Sequence, residues 1–223
     1  ANINNCNGQS ACTCDGITET DPIEVLDWGI ASPNDNEMFG EGTFDLDVTL
    51  SREVGSVSYK INSGSYNILC NNCDSNNFPV TIPASPLSDG DFTLTVRVID
   101  GSDTTTSTVD FSVDKTAPSI TQTSPTQGSL VTENDFEVRY TESNLDKVRV
   151  YYREVSEDSF QFLDLSDCES GISKTCNTEL NLASYQINDT IEYYFAVSDS
   201  FVTVDSDKVN VTIPSVRTDI WHE

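Results

Sequence analysis

The sequence predicts an all-β chain of two tandem β-sandwich domains, and three observations carry that expectation. Val, Ile, Thr, Tyr and Phe recur in short runs that alternate with polar residues, the period-2 pattern of half-buried strands. The pattern then repeats. Phe44-Asp-Leu-Asp-Val48 matches Phe136-Glu-Val-Arg-Tyr140, Ser56-Val-Ser-Tyr59 matches Val148-Arg-Val-Tyr151, and Phe92-Thr-Leu-Thr-Val96 matches Ile191-Glu-Tyr-Tyr-Phe195. Pro22 and Ser32-Pro33 likewise answer Pro118 and Ser124-Pro125. Finally, 223 residues suit two domains of roughly 100 residues each.

In chain order, residues 1–21 are polar and lack apolar alternation, and they read as an irregular N-terminal arm. The first domain is placed at 22–114. Its expected strands are Ile23 to Trp28, Thr43 to Leu50, Ser56 to Ile61, Tyr66 to Leu69, Val80 to Ile82, Phe92 to Ile99 and Thr104 to Val113. Thr43 to Leu50 is the clearest of them, with Phe44, Leu46, Val48 and Leu50 on one face. Proline bounds Val80 to Ile82, which suits an edge. Asp100-Gly101 makes a tight hairpin turn. Residues 115–118 form a linker in which Ala117-Pro118 imposes an extended path. The second domain, 119–214, has expected strands at Ile120 to Thr123, Asp135 to Thr141, Lys147 to Glu154, Phe160 to Leu163, Glu179 to Leu182, Thr190 to Ser198 and Val202 to Ile213. Residues 215–223 remain as a C-terminal tail.

About seven short strands with turns between them, occurring twice, resemble the immunoglobulin-like sandwich. Val113-Asp-Lys-Thr-Ala-Pro118 resembles the linker that introduces successive immunoglobulin-like and fibronectin type III-like repeats of microbial cell-surface proteins. The Cys…Trp…Cys core of antibody domains is missing. In outline the chain is also similar to the immunoglobulin-like subunits of archaeal surface threads. That resemblance implies an extracellular, cell-surface structural protein. It further implies head-to-tail assembly of copies of the chain through a terminal segment.

Acidic residues outnumber basic ones 37 to 11, for a formal charge of -26. Such a surface repels nucleic acid and anionic membranes, so neither is expected as a partner. No apolar stretch is long enough to predict a membrane-spanning helix. The chain opens on Ala1 and not Met, the expectation for a mature product whose signal peptide has been removed.

Seven cysteines suit an oxidising compartment. Cys70-Asn-Asn-Cys73 has redox-motif spacing, but it follows a β segment and not the start of a helix, and the matching part of the second repeat holds Cys168 and Cys176. Two local structural disulfides are therefore expected. Cys6, Cys12 and Cys14 present either three zinc ligands or a disulfide from Cys6 to Cys12 or Cys14. The latter is favoured because the single histidine, His222, is remote in sequence. An odd total leaves one thiol of these three unpaired. Asn188 and Asn210 begin glycosylation sequons.

A lone histidine near the end excludes most Ser-His-Asp and Cys-His hydrolase arrangements, and no enzymatic activity is expected. No cofactor is called for, although calcium has candidate ligands. Asp89-Gly-Asp91, Asp100-Gly-Ser-Asp103, Glu133-Asn-Asp135 and Asp205-Ser-Asp207 are oxygen-rich, and Asp114 stands at the junction. Turn formation explains the same residues, so Asp114, Asp100 and Asp103 are weak metal candidates. Two functional classes follow: a subunit of a surface filament or layer, or an adhesin or receptor ectodomain. The second would bind glycan or protein on a host or neighbouring cell through loops carrying Tyr66, Phe78 and Phe160.

Overall fold

The computed structural model describes residues 26–40, 43–74, 80–83, 86–131 and 134–215. The N-terminal arm with Cys6, Cys12 and Cys14, most of the tail, Phe78 and Glu133 lie outside the described residues. Among the described residues every regular element is a strand. In the first half these are β1 (Trp28–Ser32), β2 (Glu37–Phe39), β3 (Thr43–Leu50), β4 (Val54–Ile61), β5 (Asn67–Cys73), β6 (Val80–Pro83), β7 (Gly90–Asp100) and β8 (Asp103–Val113). The second half holds β9 (Ser119–Ser124), β10 (Asp135–Glu142), β11 (Lys147–Glu154), β12 (Gln161–Leu165), β13 (Gly171–Glu179), β14 (Thr190–Ser198), β15 (Thr203–Asp205) and β16 (Val209–Thr212).

The strands form four sheets. Those of the first half are ordered β1-β3-β6 and β2-β8-β7-β4-β5, those of the second β13-β10-β9 and β12-β11-β14-β15, with β16 also on β14. Each half is thus a three-stranded sheet with a five-stranded one, the immunoglobulin-like plan. In both halves the fourth long strand, β5 or β12, pairs beside the third and not on the smaller sheet. That is the fibronectin type III variant of the plan. Two compact units are distinguished. One draws on Asp45–Ile82, Thr93–Asp110 and the described residues up to Asp35, the other on Asn36–Phe44, Pro83–Phe92 and the residues from Phe111 on.

Alternation places the cores. β3 buries Phe44, Leu46, Val48 and Leu50, and β10 buries Phe136, Val138, Tyr140 and Glu142. Across the second sandwich Val148 and Val150 of β11 lie opposite Val197 and Phe195 of β14. Tyr193 meets Phe136 edge to face, with ring centroids 4.8 Å apart. Both Ser32-Pro33 and Ser124-Pro125 are cis, at positions the repeat already equates.

Several sequence expectations are corrected. Val57 lies opposite Val98 and Val148 opposite Val197, so Val148 answers Val57 and not Ser56. The strand expected at Glu179 to Leu182 is instead β13, and Leu180 and Leu182 are buried in the connection after it. Val202 to Ile213 divides into β15 and β16. The Tyr66 to Leu69 strand extends through both cysteines to Cys73, and β2, parallel to β8, was not expected.

Candidate cation site

Three strand ends converge in the unit that contains the residues from Phe111 on. β8 stops at Val113, β10 at Glu142 and β14 at Ser198. Each supplies a carboxylate at its last position or the next one: Asp114, Glu142 and Asp199. Only 5%, 3% and 6% of their surfaces are exposed. One carboxylate oxygen from each lies within 4.8 Å of those from the other two. Among the described residues no other group of three His, Cys, Asp or Glu side chains gathers in this way.

Strand phase explains why these charges point inward. Glu142 continues the core-facing series Phe136, Val138 and Tyr140, and Asp199 continues Ile191, Tyr193, Phe195 and Val197. Loop hydrogen bonds then fix them. Asn144 donates its backbone N–H to Glu142 Oε1 and its side-chain amide to Asp114 Oδ2, both at 2.7 Å. Thr116 N–H donates to Asp114 Oδ1 at 3.2 Å. Phe201 and Val202 both donate backbone N–H groups to Asp199 Oδ1, each at 2.6 Å. Asp199 Oδ2 receives no donor among the described residues.

Burial pushes the Glu142 carboxyl above the usual carboxylate range. The Asn144 N–H opposes that shift, and the negative charges of Asp114 and Asp199 add to it. None of the ion pairs among the described residues involves any of the three. A cleft of 490 Å³, lined in part by Asp89, Asp91, Asp114, Glu142 and Asn144, opens beside the cluster. Asp89 accepts from Lys115 N–H at 2.9 Å and from the Thr116 hydroxyl, and the Thr116 bond leads in holding its carboxyl below the ordinary range.

The repeat supplies a contrast. Leu50-Ser51-Arg52 after β3 answers Glu142-Ser143-Asn144 after β10, and Asp100 at the end of β7 answers Asp199. In the first copy Asp100 has its own cation, Arg52 Nη2 at 2.6 Å. In the second copy asparagine replaces that arginine and glutamate replaces the leucine. The aspartate keeps its place while its cation is gone.

The other sequence candidates are distributed as follows. Asp100 is committed to Arg52, and Asp103 opens β8 in an exposed position. Neither belongs to the carboxylate cluster, which brings together Asp114 and two residues that the sequence reading did not select. Cys70 bonds to Cys73 within β5, and Cys168 bonds to Cys176. The second bond ties the β12–β13 connection to β13. Both expected local disulfides form; by register Cys168 answers Cys73, whereas Cys176 lies on β13 and Leu165 stands at the place of Cys70. Asn188 is exposed at positive φ, whereas Asn210 in β16 is half-buried with its Oδ1 sequestered and without a donor among the described residues.

No protein-family model matches the chain, and no curated protein matches it. Among solved structures it is similar to the fibronectin(III)-like modules of Clostridium thermocellum CbhA, at 12% identity over 88% of this chain and 98% of that one, with a TM-score of 0.41. The three N-terminal domains of the bacteriophage RB49 highly immunogenic outer capsid protein give 12% identity, 86% and 70% coverage and a TM-score of 0.44. The first three fibronectin domains of chicken CNTN1 give 12%, 82% and 67%, and 0.41.

Proposed function

We propose that this chain is a non-enzymatic structural subunit of an extracellular cell-surface filament or layer, assembled head to tail from copies of itself. The observation that carries this reading is the flank formed by β12 and β13. Each ends its sheet, and Phe162, Leu163 and Ile172 stand 55%, 39% and 79% exposed on them. The first half repeats the arrangement, since β5 and β6 end their sheets and Ile68 is 65% exposed. Edge strands normally carry charge or a cover, because their free N–H and C=O groups recruit other chains. An extended segment from a neighbouring copy would gain main-chain hydrogen bonds there, and alternate side chains would set its specificity. Residues 1–21 are the proposed donor. The two disulfides fit the oxidising setting that this role requires.

The alternative, an adhesin or receptor ectodomain that stacks a ligand on loop aromatics, has less support. Arg97 lies 3.8 Å and Lys60 5.2 Å from the Tyr66 ring centroid. Arg153 and Lys208 lie 4.5 and 4.8 Å from that of Phe160. These ring faces are already occupied by cations. On the β12–β13 flank Arg149 covers one face of Phe162 in the same way, and the aliphatic Leu163 and Ile172 are the exposed apolar groups. Deleting residues 1–20 tests the assembly reading: soluble, folded monomers that no longer polymerise support it. Filaments formed by the truncated chain would remove the arm as connector.

A further inference from the structure

We propose that Asp114, Glu142 and Asp199 form a Ca²⁺ site that ties the ends of β8, β10 and β14 together. Three carboxylates more than nine-tenths buried and facing one another repel strongly in a medium that screens poorly, unless a cation lies among them. No lysine, arginine or histidine takes that place among the described residues. One observation beyond the clustering of three buried carboxylates points to an ion. In the first repeat the answering Asp100, less buried than Asp199, meets a guanidinium 2.6 Å away. The second repeat has lost the built-in cation and gained a carboxylate, Glu142, where Leu50 stands.

The donor set is all oxygen and anionic, which suits a hard cation and not zinc or copper. Oxygens within 4.8 Å of one another match the reach of two ligands of one ion, each at about 2.3–2.6 Å, the calcium–oxygen distance. Water entering through the adjoining cleft would complete the coordination. The surplus negative charge of the whole chain, -26, raises the local cation concentration and favours occupancy.

The test is isothermal titration of the full, chelator-stripped chain with CaCl₂ or MgCl₂, paired with thermal melts. One saturable Ca²⁺ site per chain is expected, with Kd at or below about 1 mM, the weak end for extracellular calcium modules. Saturation should raise Tm by about 5 °C. Glu142→Gln and Asp199→Asn should each weaken binding at least about tenfold, since each removes one anionic ligand. Both should abolish the calcium-dependent rise yet increase Tm of the calcium-free chain, because each removes a buried like charge. Asp207→Asn, outside the cluster, should leave affinity unchanged. Absence of saturable binding, unchanged affinity in both cluster variants, or a lower Tm of both in the calcium-free state would overturn the site. Equal affinity for Mg²⁺ would overturn its assignment to calcium.

Discussion

Asn144 donates its side-chain amide to Asp114 Oδ2 at 2.7 Å while its backbone N–H caps Glu142 at the same distance. One residue therefore holds two carboxylates that repel each other. Asn144→Ala keeps the backbone cap but leaves Asp114 without its amide donor. A loss of about 1.5–3 kcal/mol is expected in urea denaturation with chelator present, as for other hydrogen bonds to charged groups. A change below about 0.3 kcal/mol would show that this bond does not matter.

Gly40 matters for its lack of a side chain. A Cβ there would stand 2.7 Å from Cγ and 2.9 Å from Cδ1 of Phe201, closer than carbon atoms pack. Phe201 also supplies one of the two N–H groups on Asp199. Gly40→Ala should therefore displace the turn that aims Asp199. The expected cost is about 1 kcal/mol, at the lower end for overpacking because Phe201 is partly exposed and can yield. Calorimetric Ca²⁺ titration should show weaker binding in the same variant.

Much of this architecture was legible in the sequence where side chains alternate. Lys147–Glu154 and Thr190–Ser198 coincide with their expected strands, because burial on one face writes itself into every second residue. β13 was missed for the opposite reason: it is an edge strand whose one buried residue is Cys176, so no alternation marks it. Leu180 and Leu182 drew the expected strand away because they pack into the core without belonging to a ladder. At the site, Asp114 stood out through its junction motif. Both Glu142 and Asp199 carried a signal, a charge at a core-facing phase, and for Glu142 the first repeat has Leu50 at that place. Their convergence depends on how three strand ends meet, which no local window contains.

The two disulfides close loops of different size, with sequence separations of 3 for Cys70–Cys73 and 8 for Cys168–Cys176. Loop-closure entropy grows with that separation, giving about 2 kcal/mol for the shorter loop and about 2.6 for the longer. Each pair joins one buried cysteine, Cys73 or Cys176, to a half-buried one, so loop length is what separates them. Replacing Cys168 and Cys176 together by alanine should lower the urea midpoint more than replacing Cys70 and Cys73. The reverse order would mean that residual structure in the unfolded chain governs the effect.

Tyr193 gives the sandwich an alkaline limit. Its hydroxyl donates to the Pro125 carbonyl, and burial pushes its pKa up to about 12. The neutral phenol is the form the fold favours. Its contribution is fully present below the unfolded value of about 10 and is lost as pH rises through the folded value. Tm should therefore fall between pH 10 and about 12, and Tyr193→Phe should flatten part of that fall. Removing the donor should also cost about 1 kcal/mol at pH 8.

The central claim is self-assembly through the open β12–β13 flank. Negative-stain imaging of the full chain beside an Ile172→Lys, Phe162→Lys variant tests it most directly, since both residues are exposed on those edge strands. Added lysines guard such an edge against pairing without disturbing the core. The account predicts filaments or sheets from the unaltered chain and dispersed, folded monomers from the variant. Monomers from the unaltered chain, or the same polymers from both, would contradict it.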